Sequence, residues 1–440
     1  MKIVQIVPGS GDNFYCENCV RDNSLVRALL ARGEQVLAVP LYLPREIDTL
    51  DQTTDAPLFF GGINSYLQQK SGLFRHTPRW FDRLLDSRFL LRMAAHRAGS
   101  VRASGLGEMT LSMLQGRAGH QKKELERLID WLGSIGKVDV VHISSPLLLG
   151  IGEEVKRRLG LPIVCTMQDE DTWIDAMDDP YPARCWDAMR EAAAHVDVFV
   201  GVSRYFADVM QERMKLPADR VRVVPIGVDV DAFATASAPV DPPVLGYLSR
   251  MSEPLGLGVL VDAFLRLKKT PGLEGLKLHA SGGSTADDKP FLTRLHRTLA
   301  SEGVADDVRF FDHFDPDARR EMLSSLTLLS VPAANGMAFG TYILEALASG
   351  VPVVEPNVGS FPELLEATGG GVLYDTDRPD ALFETLRDLL LDRARVADLA
   401  SRGREAVRTE FSLDPMARRM LDVYESAVSG KVAASTGRES

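Results

Sequence analysis

Short apolar runs, largely β-branched, recur along the chain, and the segments between them carry apolar residues at helical spacing. In the first half the runs are Lys2–Val7, Gln35–Leu41, Val138–Ile143, Pro162–Met167, Val196–Val202 and Val221–Pro225. Asn23–Arg32, ended by Gly33, is the first predicted helix. In the second half the runs are Val244–Leu248, Leu276–Ala280, Val308–Phe311, Leu326–Val331 and Val351–Val354, with a final helix from about Pro415 to Val428. Strands without polar alternation are buried on both faces. Helices between such strands imply parallel sheets with right-handed crossovers, an α/β fold.

Two series of this kind imply two domains, and 440 residues are too many for one ordinary core. The break falls in Ala236–Pro243, a run of Ala, Ser, Pro and Asp that suits a linker. The expected division is 1–235, 244–412 and a C-terminal helix, 413–430, crossing back to the first domain. The tail from Gly430 is small and polar and is expected to be disordered.

One segment carries candidate chemistry. Leu326–Val331 ends at Pro332; a loop through Met337, Ala338, Phe339 and Gly340 leads into a short helix closed by Gly350, and Val351–Val354 follows. A strand–loop–helix–strand unit aims bare backbone N–H groups at whatever sits above the helix start, a position suited to phosphate. Glu345, just over one turn into the helix, can reach back to a hydroxylated ligand beside that phosphate. An ordinary strand–helix–strand of an α/β core fits this segment equally well when it is taken alone.

Composition narrows the classes. A net charge of -11 argues against nucleic acid as the main partner. No apolar run is long enough to span a bilayer, and Met1–Pro8 is too short an apolar run for a signal peptide, so a cytoplasmic location is expected. Four cysteines do not make a disulfide scaffold in a chain this long. Cys16 and Cys19 form a C-x-x-C without a second pair to complete a zinc site; two small residues on a tight loop are favoured over a metal or redox role. Between 61 and 120 the alternation breaks: Arg75, Arg79, Arg83, Arg88, Arg92, Arg97 and Arg102 lie among Trp80, Phe81, Phe89 and Leu90. A solvated helical face with Arg stems over the core is favoured; the other reading is a patch for an anionic acceptor or peripheral contact with a membrane surface.

With these segments in order, the chain resembles the family 4 glycosyltransferases (glycosyltransferase group 1). That family has the GT-B fold, two facing Rossmann-like domains with parallel sheets and an interdomain cleft. Val202-Ser203 and Val221-Arg222-Val223-Val224-Pro225-Ile226-Gly227-Val228-Asp229, with Phe233 beyond, resemble the end of its first domain. Gly246-Tyr247-Leu248-Ser249-Arg250-Met251 resembles the opening of its donor domain. Phe339-Gly340 through Glu345 resembles the second half of its paired-glutamate motif, E-x7-E, and Gly359-Ser360-Phe361-Pro362-Glu363-Leu364 the turn that follows.

The resemblance implies a retaining, metal-independent glycosyltransferase with no cofactor and a nucleotide-diphosphate sugar as co-substrate. The acceptor hydroxyl would belong to a saccharide, a lipid-linked compound or a small molecule. Arg250 would bind the diphosphate; N–H groups around Ala338, Phe339, Gly340 and Thr341 would hold phosphate oxygens; Glu345 would take the ribose hydroxyls. The turn Pro8-Gly9-Ser10-Gly11 would let backbone approach the donor, with Gly11 at the contact. Asp169 is the candidate catalytic carboxylate, with Gln168, Glu170 and Trp173 beside it for the acceptor. A helix N-terminal acidic turn explains Asp169-Glu170-Asp171 about equally well.

Three positions depart from the family pattern. Leu255 stands where a second diphosphate cation is usual, Met337 where the first glutamate of the pair falls, and Gln168 where a histidine often follows the strand. None of the three supplies the usual group. A non-catalytic nucleotide- or sugar-binding relative is therefore the alternative. An NAD-dependent enzyme is weaker, because the third glycine of a G-x-G-x-x-G from Gly9 falls at Phe14.

Overall fold

The computed structural model describes residues 1–8, 15–41, 59–60, 105–233, 240–311 and 316–430. Gly11, the seven arginines of the basic insert, residues 236–239 of the linker and the tail beyond Gly430 lie outside the described residues. The chain forms two compact units: unit 1 is Met1–Ser10, Leu25–Pro225 and Ala417–Ser440, and unit 2 is Gly11–Ser24 and Ile226–Met416. The division therefore falls at 225/226 rather than at the composition break, and residues 11–24 count with unit 2 although sequence position assigns them to the first domain.

Unit 1 holds β1 (Lys2–Val7), β2 (Gln35–Pro40), β3 (Val140–Ile143), β4 (Ile163–Met167), β5 (Val198–Gly201) and β6 (Val221–Val223), all parallel, in the order β2-β1-β3-β4-β5-β6. Its central strands, β3, β4 and β5, are buried along their whole length, as continuous apolar runs require. A polar ladder crosses this core. Buried His142 of β3 bonds Thr166 Oγ1 of β4 at 2.7 Å through Nε2 and the Tyr424 hydroxyl at 2.9 Å through Nδ1. Tyr424 lies on the last helix, Leu413–Ser429, whose residues from Ala417 onward pack with unit 1.

Unit 2 holds β7 (Val244–Leu248), β8 (Lys277–Ser281), β9 (Val308–Phe311), β10 (Leu328–Leu329), β11 (Val353–Pro356) and β12 (Gly371–Tyr374), parallel, in the order β12-β11-β10-β7-β8-β9. The chain winds outward from β7 through β8 to β9, then returns to β10 and winds the other way. The strand order reverses between β7 and β10, and the crevice beyond the carboxyl ends of those two strands is where such sheets place ligands.

Two expectations are corrected. The first helix is Glu17–Ala31, starting well before Asn23, because its first turns are polar and carry no apolar periodicity. The predicted strand Leu326–Val331 contracts to Leu328–Leu329, although Thr327 N bonds Val244 O and Ser330 N bonds Gly246 O at its two ends.

Candidate active site

In unit 2 the switch-point crevice is built by three loops. The first leaves β7 at Ser249-Arg250. Tyr247, fully buried on β7, donates its hydroxyl to the carbonyl oxygens of Arg250 (3.0 Å) and Leu255 (3.2 Å), which folds residues 250–255 over the strand end. Gly256 continues that loop with φ +80°, and a Cβ there would lie 2.1 Å from the carbonyl oxygen of Pro332. The glycine thus lets the loop after β7 touch the loop after β10.

The second loop runs from Val331 to Gly340. Gly336 (φ +71°) and Gly359 (φ +63°) pack backbone on backbone, so that a Cβ on Gly359 would meet Met337 N at 2.8 Å. Ser360 pins the loop from below: its N–H bonds Met337 O at 3.2 Å and its hydroxyl bonds Phe339 O at 2.5 Å. The helix Thr341–Ala348 follows and is buried along its whole length. Glu355, on β11, accepts from the Tyr342 hydroxyl (2.9 Å) and from Val331 N (3.3 Å), which ties this helix and the start of the loop to the sheet. Burial raises the Glu355 carboxyl well above the usual carboxylate range, while the Tyr342 hydroxyl and the Val331 N–H pull it back.

The third loop is the segment Tyr15–Glu17, which sequence reasoning left out of the site. Tyr15 N bonds Gly282 O at 2.8 Å, and its hydroxyl donates to Glu345 Oε2 at 3.0 Å. Arg319 Nη1 lies 3.2 Å from Glu345 Oε1, and the Arg319 guanidinium sits 5.6 Å over the Tyr15 ring. The Glu17 carboxylate takes the Thr341 N–H at 2.7 Å. Both oxygens of Glu345 and one N–H at the helix start are thus engaged by side chains of unit 2. Burial raises the Glu345 pKa, while Arg319 and the Tyr15 hydroxyl pull it down. Cys16 and Cys19, expected as two small residues on a tight loop, form a disulfide at the start of the first helix, and both are half-buried.

The remaining predicted donor residues lie on the loops that follow β7 and β10 and at the start of the helix Thr341–Ala348. Arg250 is 39% exposed along its side chain; among the described residues its ion-pair contact is with Asp288, 3.8 Å from Nε, and that Asp288 oxygen is already bonded to Thr285 N and Oγ1. Leu255, Met337 and Ala338 are half-buried, while Phe339, Gly340 and Thr341 are buried. Gly340 holds φ +120°, a backbone conformation that side chains rarely adopt.

In unit 1 the predicted acceptor residues occupy the turn after β4. Asp169 is exposed and holds φ +74°. The strain is held by its neighbours: the buried Glu170 accepts the Gln168 N–H at 2.6 Å, the Gln168 amide donates to Ser144 O at 3.0 Å, and Thr172 Oγ1 bonds Asp169 O and Oδ1 at 3.1 Å each. The acidic run therefore divides. Glu170 faces inward and braces the turn, whereas Asp169 faces solvent at the carboxyl end of β4, and Trp173 is half-buried beyond it. Trp186 is buried with its indole N–H on Asp175 at 3.1 Å, which makes it core.

Burial pushes the Glu170 carboxyl from 4.5 up to about 8. A raised folded pKa gives stability that is full at low pH and is lost as pH climbs from about 4.5 to about 8. Glu170→Gln keeps an acceptor for Gln168 N without that loss. The variant is expected to melt near wild type in weak acid and several degrees above it at pH 9, read by calorimetry. A constant difference between the two pH values would show that Glu170 stays ionised in the fold.

Comparison with known proteins agrees with this architecture. Residues 94–232 match the model described as Glycosyltransferase Family 4, and residues 231–406 the model described as Glycosyl transferases group 1. A D-inositol 3-phosphate glycosyltransferase of Salinispora tropica is 29% identical over 90% of this chain and 88% of its own length. Another of that name, from Xylanimonas cellulosilytica, is 31% identical over 68% of this chain and 75% of its own. Among solved structures, Anabaena HepE in complex with UDP and glucose superposes with a TM-score of 0.66 at 16% identity, over 97% of this chain and all of its own. The chain belongs to the family 4, group 1 glycosyltransferases and has their GT-B type of fold, two Rossmann-like units with parallel sheets.

Proposed function

We propose that this glycosyltransferase moves a sugar, with retention and without a metal, from a nucleotide-diphosphate sugar to a hydroxyl of a polyhydroxylated acceptor. The observation that carries the donor half is Arg250. It is a half-exposed guanidinium whose one ion-pair contact among the described residues is a long one to an already bonded Asp288, on the loop after β7 that packs at Gly256 against Pro332 of the loop after β10. In this reading Arg250 forks onto the diphosphate, N–H groups from Ala338 to Thr341 hold phosphate oxygens, and Glu345 takes the ribose hydroxyls. Leu255 and Met337 flank the diphosphate and the sugar.

Rate comes from orientation and from positive potential on the leaving diphosphate. The leaving phosphate itself takes the acceptor proton, so no strong protein base is needed. Asp169, held outward on a braced turn, orients the acceptor hydroxyl, with Trp173 as an apolar wall. The names of the inositol-phosphate relatives support a small polyol or its phosphate as acceptor. A cytoplasmic location is part of this reading.

Arg250→Ala is expected to weaken UDP or GDP binding about 10- to 100-fold, the worth of one charge-assisted contact, and to leave uridine or guanosine binding unchanged. Calorimetry with the four ligands tests it. Equal losses for nucleotide and nucleoside would remove Arg250 from the phosphate position. A second reading, a non-catalytic binding relative, draws on one observation: Glu345 and the Thr341 N–H are both engaged by Tyr15 and Glu17. Donor hydrolysis across a panel of UDP- and GDP-sugars separates the two readings.

A further inference from the structure

The segment Tyr15–Cys19 brings together features that the glycosyl-transfer reading does not use. It places a phenol hydroxyl on Glu345 and a carboxylate on the Thr341 N–H. It carries a disulfide that closes a ring around Glu17 and Asn18. The two sulfur-bearing residues are half-buried, unlike Cys165 and Cys185, which are buried and not disulfide-bonded.

The two contacts imitate what a nucleotide would offer. The Tyr15 hydroxyl donates to Glu345 as a ribose hydroxyl would. The Glu17 carboxylate accepts from Thr341 N as a phosphate oxygen would. Glu17 lies inside the ring, so the crosslink limits how far its carboxylate can leave the Thr341 N–H, and Tyr15 is anchored directly before the ring by its N–H on Gly282 O. Glu17 is also the first residue of the helix Glu17–Ala31, where a missing crosslink is felt most because end turns fray.

We propose that Cys16–Cys19 is a redox-addressable lock on the nucleotide site of unit 2: in the disulfide form Tyr15 and Glu17 fill the ribose and phosphate positions, and reduction by a dithiol releases them. The inference rests on the donor-site reading given above. A thiolate of the dithiol attacks one sulfur of the pair. The S–S bond breaks to a mixed disulfide and a cysteine thiolate, which takes up a proton. The second thiol of the reductant then displaces the other cysteine, so the protein gains two electrons and two protons and the reductant leaves as its own disulfide. The sulfur at the helix N-terminus is favoured as the leaving thiolate on reduction and as the attacking thiolate when the bond re-forms, because that position stabilises negative charge.

The experiment uses the full chain with UDP and GDP as probes, titrated calorimetrically after air oxidation and again in dithiothreitol. Reduced protein is expected to bind the preferred nucleotide on the order of tenfold more tightly, the worth of no longer displacing one charge-assisted contact. Cys16→Ser with Cys19→Ser is expected to bind like reduced wild type in either buffer. Glu17→Gln and Tyr15→Phe are each expected to recover part of the gain in the oxidised form. Mass spectrometry of alkylated protein counts free thiols in each state. Equal affinity in the two buffers, tighter binding by the oxidised form, or four free thiols after oxidation overturns the lock and leaves the donor reading intact. If neither reduced nor doubly substituted protein binds UDP or GDP, the donor reading falls and the lock falls with it.

Discussion

Arg319→Leu is expected to lower the melting temperature of unit 2 by about 10 °C at pH 8.5, and by clearly less at pH 5.5. Arg319 and Glu345 are both almost fully buried, and the pair is 3.2 Å apart. Removing one partner of such a pair costs about 3–5 kcal/mol because it strands a buried charge. In a domain of this size each kcal/mol is worth about 2–4 °C. The pH dependence follows from Glu345. Its pKa is already raised by burial, and Arg319 is the strongest influence holding it down. Without Arg319 it rises further, so the variant keeps Glu345 protonated in mild acid and unpaired only at higher pH. A raised folded pKa means stability present at low pH and lost as pH climbs through it. Calorimetric scans at the two pH values check this. Adding Glu345→Gln should recover most of the loss at high pH, since the stranded charge is gone. Equal losses at both pH values, unrelieved by the second change, would show that Arg319 acts through packing on Tyr15 instead.

That buried pair was not legible in the sequence, and the reason is separation. Glu345 stood out from its place in a short glycine-bounded helix, a local pattern. Its partners Tyr15 and Arg319 lie hundreds and tens of residues upstream, and no periodicity or spacing links three side chains brought together by sheet order. Glu355 escaped for a related reason. It sits at the end of an apolar strand, where a carboxylate normally marks the exit to solvent, and only tertiary structure shows it buried under Tyr342. The strands themselves were legible because buried parallel strands are continuous apolar runs. β12 was missed because its four residues, Gly371–Tyr374, form only a half-buried edge. The C-x-x-C was visible, yet its meaning depended on Tyr15 and Glu17 beside it. An aromatic and an acid within one residue of a cysteine pair is the signal that could have drawn attention to Tyr15–Cys19.

The acidic run after β4 shows how alternatives resolve. Either a helix-end acidic turn or an acceptor site fitted Asp169-Glu170-Asp171. The structure assigns different duties to neighbouring carboxylates: Glu170 braces the turn through Gln168 N, and Asp169 is left exposed with φ +74°. Alternation of inward and outward side chains in a strained turn is set by backbone conformation, which residue type alone does not encode.

Leu255→Lys combined with Met337→Glu is expected to raise donor turnover about 100-fold, the scale of regaining one preorganised electrostatic contact to a transition state. The structure makes the substitutions tolerable. Both positions are half-buried rather than buried, so each new charge keeps part of its water. Leu255 contributes its backbone, not its side chain, to the Tyr247 bond that shapes the loop. Met337 likewise contributes its carbonyl to Ser360. Both side chains can therefore change without unpinning the crevice. The lysine would add a cation beside Arg250 for the leaving diphosphate, and the glutamate an acceptor for a sugar hydroxyl. The two charges are opposite, which limits any new repulsion. Because both groups are partly exposed, the gain should shrink as salt is raised from 0.05 to about 0.5 M, where the screening length falls to a few ångströms. Initial rates of donor hydrolysis and transfer, measured on reduced protein across that salt range, check the expectation. A folded double variant that binds the donor as tightly as wild type and turns over no faster would mean that the crevice is shaped for holding a nucleotide rather than breaking its sugar bond.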